Sequence, residues 1–119
     1  MRIAFYAPLK PPFHAVPSGD RQIARLYIAA LEHAGHTVEV ISEFRSHTKE
    51  AGEQAALALQ GEQEAAHVLH ALQARPAAER PALWFTYHVY YKAPDWLGPA
   101  VSRALSIPYV IAEASHAPK

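Results

Sequence analysis

MRIAFYAPLKPPFHAVPSGDRQIARLYIAALEHAGHTVEVIS, residues 1–42, decides the fold. Its apolar opening is a buried strand, and the Pro-rich stretch that follows is a loop. From Ser18 the pattern changes to a helical period. Ile23, Tyr27, Ala30, Leu31 and Ala34 recur at i, i+4, i+7, i+8 and i+11, which predicts an apolar face for the sheet with Arg21, Gln22, Arg25 and Glu32 outside. Ser18 or Asp20 can cap this helix, and Gly35 can end it in a left-handed turn. Val38, Val40 and Ile41 then form a second strand. Strand, helix and strand in this order make a βαβ unit of a parallel sheet.

Working outward, His47 to Arg75 is rich in Ala, Gln, Glu and Leu without proline and reads as a long helix. Leu57, Gly61, Ala65, Val68 and Leu72 lie along one face, and Gly52 and Gly61 are its expected break points. A connector from Arg75 to Pro81 leads to a third strand, Ala82 to Tyr87. The loop His88 to Pro94 follows, then a short helix over Asp95 to Ser106 with Val101, Ala104 and Leu105 inward, and a fourth strand, Tyr109 to Glu113. Right-handed crossovers arrange four parallel strands most simply in the order 2-1-3-4, with the first strand in the interior. The expected class is α/β: a Rossmann-like three-layer sandwich, half of a doubly wound sheet.

The 119 residues suffice for one domain, 1–119, and one core. Eleven Lys and Arg against eleven Asp and Glu leave no basic field to neutralise a row of phosphates, so nucleic acid is not the expected partner. The absence of cysteine removes disulfides and thiolate metal sites and fits a reducing compartment, with the cytoplasm expected. The opening apolar run is too short to cross a membrane and lacks a signal-peptidase pattern. A parallel sheet needs a helix over its last strand, and the sequence ends six residues after Glu113, so the expectation is a shortened chain.

Ligands of such sheets bind at the carboxyl ends of the strands, and two groups of residues fall there. Ser18, Gly19 and Asp20 place backbone N–H groups at a helix start, where an anion can be held; the same turn also reads as an ordinary capped connection. His88, Tyr91 and Lys92 follow the third strand and Glu113 ends the fourth. Imidazole, phenol, ammonium and carboxylate together can hold hydroxyl or anionic groups. The alternative is that the aromatics pack and that Glu113 forms a salt bridge, with Lys92 a candidate partner, or is an exposed strand end. His33 with His36, and His67 with His70, lack a third ligand nearby, so no metal site is expected.

RIAFYAP, the SGDR turn, the helix ending AGHTVEVIS, and LWFTYHVYYKAPDWLGP leading to IPYVIAEAS, in this order and spacing, resemble the N-terminal domain of glycosyltransferase family 4 over nearly the whole chain. The resemblance implies a retaining enzyme of two Rossmann-like halves in the GT-B arrangement. The N-terminal half binds a small-molecule or glycan acceptor, and the C-terminal half, absent here, holds a nucleotide sugar as co-substrate with no further cofactor. It implies that Ser18, Gly19 and Asp20 stand at the donor phosphate loop, with Ser18 in place of a glycine. His88, Tyr91, Lys92 and Glu113 then face the acceptor, with His88 and Glu113 as catalytic candidates and the isolated chain inactive. Where the family often ends its fourth strand with a histidine, this chain has Glu113, and His116 comes later, so that role does not transfer. A stand-alone flavodoxin-like binding or receiver module is the alternative; it fits less well, because His88 stands where a receiver needs a phosphorylatable aspartate.

Overall fold

The computed structural model describes residues 1–9, 12, 19–47, 51–89 and 93–114. In chain order the elements are β1 (Arg2–Tyr6), α1 (Gly19–His33), β2 (Thr37–Ser42), α2 (Gln54–Gln73), β3 (Leu83–Val89), α3 (Gly98–Leu105) and β4 (Tyr109–Ala114). Short 3₁₀ turns, Ala51–Glu53 and Ala77–Glu79, precede α2 and β3. All four strands pair in parallel, in the order β2-β1-β3-β4. This is a Rossmann-like α/β fold with β1 inside the sheet, as the alternation of strand and helix patterns predicts.

Side chains alternate across the sheet and build two cores. On one face Ile3, Phe5, Phe85 and Tyr87 meet Ala24 and Ile28 of α1. On the other, Ala4, Tyr6 and Trp84 meet Ala65, Val68 and Leu72 of α2 and Leu97 and Val101 beside and within α3. Each large side chain so buried contributes about 1.5–3 kcal/mol. α1 ends as expected: Gly35 has φ 97°, Gly35 N–H donates to Glu32 O, and His36 N–H donates to Leu31 O, a Schellman closure.

Several details depart from the sequence reading, among them that β3 runs on to Val89 and takes in His88, which the sequence reading puts in a loop. α1 is rotated: Ala24 and Ile28 are buried and Tyr27 and Leu31 half-buried, while Ile23, Ala30 and Ala34 are exposed and Leu26 is 68% exposed. The cause lies in the sheet, where Phe5 and Phe85 stack at 5.4 Å and leave room for the small Ala24; Tyr27 packs on Phe85 and Tyr87 at 5.6 and 5.3 Å. Gly61 does not break α2. It is buried in the helix interior, and a Cβ there would lie 2.5 Å from Cβ of Trp96, so glycine permits the close approach of the segment before α3. α3 begins at Gly98, not Asp95, because the Asp95 carboxylate accepts the backbone N–H groups of Leu97 and Gly98 and holds the preceding residues in a cap. Ala104 is also exposed rather than inward.

A Cβ on Gly98 would overlap Tyr109 Cε1 and Asp95 Oδ2 and come within 2.8 Å of Trp84 Nε1. Gly98→Ala and Gly61→Ala should therefore each destabilise by about 1–3 kcal/mol through overpacking. Gly52→Ala, which meets nothing within 4 Å, should be neutral or stabilising. Denaturant midpoints of the three variants check this, and equal midpoints would contradict it.

Candidate functional site at the carboxyl edge of the sheet

β1, β2 and β3 all end at the same edge, and Ser46 stitches the loops that follow them. Its N–H donates to Pro8 O at 3.0 Å and its hydroxyl to Pro94 O at 2.6 Å, so the segments after β1, β2 and β3 share one buried serine. Ser42 donates to Glu64 Oε2 at 2.5 Å and accepts from Phe44 N–H at 3.1 Å; Tyr6 OH donates to Phe44 O at 2.8 Å. Backbone groups that leave a strand ladder need such partners when water is excluded.

Beside these loops lies a second network. Asp95 Oδ1 accepts Leu97 N–H at 3.0 Å and Gly98 N–H at 2.7 Å, while Oδ2 accepts Thr86 Oγ1 at 2.7 Å and Tyr109 OH at 2.6 Å. Thr86 Oγ1 in turn accepts Trp84 Nε1–H at 2.7 Å. The carboxylate thus joins β3, the start of α3 and β4. Burial, followed by the Asp95 charge, raises the Tyr109 phenol well above its ordinary value, and the hydrogen bond donated to Asp95 adds to this. Tyr6 is raised by the same two causes in the same order.

On this base stand two of the sequence-derived candidates. His88 (φ 66°) and Glu113 (φ 64°) both adopt left-handed backbone, uncommon for residues with a side chain. β3 and β4 pair at Tyr87 with Ala112 and at Val89 with Ala114, which sets His88 and Glu113 next to each other on adjacent strands. The His88 ring meets Tyr87 edge-on at 5.6 Å and is half-buried. Glu113 is exposed, as a strand end on the sheet's edge strand can be.

Gly19 opens α1 and is exposed, with nothing within 4 Å of a Cβ placed there. Asp20 is the next residue of α1, and its side chain lies outside what is described, as do Ser18, Tyr91 and Lys92. His67 and His70 are exposed on α2, and His36 Nδ1 lies 3.1 Å from the N-terminal amine. Among the described residues, no group of three or more His, Asp or Glu is placed to hold a metal ion, and no helix is long and apolar enough to cross a membrane.

The sequence reading missed Asp95, Tyr109, Thr86 and Ser46. Only Asp95 carried a signal, two and three residues ahead of Leu97 and Gly98 as an Asx cap. No family model, curated protein or solved structure matches this chain.

Tyr6 and Tyr109 stay protonated in the fold above the pH at which an unfolded tyrosine ionises. The folded state then binds more protons than the unfolded one, and stability falls as pH rises. Stability from these groups should be fully present below about pH 10, the ordinary tyrosine value, and decline above it. Thermal midpoints across that range, with phenolate absorbance appearing together with unfolding, would show it; two phenols ionising near pH 10 in the folded chain would contradict it.

Proposed function

We propose that the carboxyl edge of this sheet binds a hydroxyl-bearing acceptor, a sugar or glycan, as the acceptor-side half of a retaining glycosyltransferase with two Rossmann-like halves. The observation that carries this reading is the pairing of His88 with Glu113, side by side at the ends of β3 and β4 and both in left-handed backbone. Strained backbone of this kind costs about 1–3 kcal/mol per residue and concentrates at ligand sites. Two of the four stretches that carry the family resemblance, SGDR and LWFTYHVYYKAPDWLGP, include candidates at this edge.

In this reading Glu113 accepts a hydrogen bond from an acceptor hydroxyl, and a neutral His88 nitrogen accepts from another or takes its proton as transfer proceeds. Gly19 and the first turn of α1 approach the donor phosphate from this side. Tyr91 and Lys92 complete the acceptor contacts. The donor's base, ribose and diphosphate fall to a C-terminal half, and the absence of cysteine suits a cytoplasmic setting.

A single helix terminus contributes about 0.3–1 kcal/mol, against the roughly 8 kcal/mol that micromolar binding requires. The 119-residue chain should therefore show no measurable calorimetric binding of UDP- or GDP-sugars. In heteronuclear NMR titrations with a panel of mono- and oligosaccharides, backbone shifts should concentrate at His88 and Glu113, and His88→Ala or Glu113→Ala should abolish them. Tight nucleotide-sugar binding, or saccharide shifts confined to another face, would overturn the reading.

A further inference from the structure

We propose that the outer edge of β4 pairs antiparallel with β4 of a second copy, joining two four-stranded sheets across a twofold axis at Ile111.

β4 is last in the sheet, and among the described residues no strand pairs on its outer side. Its neighbours in sequence, Val110 and Ile111, point to opposite faces: Val110 pairs with Phe85 of the α1-side core, and Ile111 with Thr86 on the α2/α3 side. They are 37% and 41% exposed, so apolar surface flanks the unpaired backbone on both faces. The opposite edge is protected. β2 carries Glu39 in its middle, clasped by Arg75 at 2.6 and 2.8 Å, and Arg75 holds the Glu39 carboxyl below the usual carboxylate range. Charge on an edge is a common guard against sheet extension. From Tyr109 to Ala112, β4 has neither charge nor proline.

Charge also selects the orientation and the partner. The only charged residue of β4 is Glu113 at its end. In-register parallel pairing would bring two Glu113 carboxylates together, whereas antiparallel pairing sends them to opposite ends of the ribbon. A twofold axis closes the assembly at two copies because one edge serves both. Directly opposed residues of antiparallel strands share a face. An axis at Ile111 therefore sets Ile111 against its own copy, Val110 against Ala112 and Tyr109 against Glu113. Axes shifted toward the strand start bring in Pro108, which has no N–H to donate. Val110, Ile111 and Ala112 make the regular pairs, with Tyr109 facing the left-handed Glu113 at each end, so the interface is small and the association accordingly weak and concentration-dependent.

The chain has no cysteine, so a single introduced one reports only its own symmetry mate. Under mild oxidation Ile111→Cys should form a covalent dimer at concentrations where Leu26→Cys on α1 and Thr37→Cys on β2 stay monomeric. Sedimentation of the unmodified chain should show a concentration-dependent dimer that Ile111→Lys abolishes with an unchanged circular dichroism spectrum. If Ile111→Lys does not fold, the cysteine series decides. A monomer at every concentration, cross-linking at Leu26 as strong as at Ile111, or a dimer that survives Ile111→Lys in a folded variant would overturn the proposal.

Discussion

The Asp95 carboxylate is the constraint on which the α3 side of this protein depends. A carboxylate withdrawn from water loses several kcal/mol of hydration unless its lone pairs are met, and here four donors meet it. The donors come from different parts of the chain: a hydroxyl of β3, a phenol of β4 and two backbone N–H groups at the start of α3. Each charge-assisted bond contributes about 1.5–3 kcal/mol, so the balance is favourable only while all of them are made. The carboxylate therefore couples the position of α3 to that of β4, and β4 carries Glu113.

Packing on this side is tight for the same reason. Gly98 brings α3 against Tyr109 and Trp84, and Gly61 brings α2 against Trp96; neither site has space for one more carbon. Trp84, Tyr6, Leu72, Leu97 and Val101 are fully enclosed between these contacts. The α1 face differs. Among the described residues one helix lies over the sheet there, packed by Tyr27 on Phe85, and its outer stripe of Ile23, Leu26 and Ala30 is exposed. Local stability should follow this asymmetry, since low contact density allows opening at lower cost.

The sequence made the strands, their order and the ends of α1 legible because those depend on local pattern. β-Branched runs, a glycine at the C′ position and the handedness of crossovers each act over a few residues or through a general topological rule. The rotation of α1 was not legible, since Ile23 and Ala24 are both apolar and the choice between them depends on two phenylalanines in separate strands. Gly61 misled for a related reason: propensity assigns an isolated glycine as a weakness, whereas here it is the point where Trp96 approaches. The Asp95 network was hidden because Thr86, Asp95 and Tyr109 have no common spacing and meet only after β3, α3 and β4 are in place. His88 and Glu113 were found because one follows and the other ends a strand on the same edge, but their left-handed backbone left no mark in residue type.

That backbone distinguishes the two residues physically. A left-handed conformation persists only where the surroundings over-determine it. His88 is held between ladder pairs on both sides, and its ring abuts Tyr87, which is itself packed against Tyr27 in the aromatic core. Glu113 shares the ladder pairs, but its strand has no neighbour beyond it and its side chain is exposed. The same backbone conformation thus occurs once against the aromatic core and once on the open edge of the sheet. In the acceptor site proposed above, His88 is the anchored group and Glu113 the exposed one. Under that proposal the acceptor is oriented by where it meets the imidazole, and ordering the exposed Glu113 side chain is an entropic cost of binding.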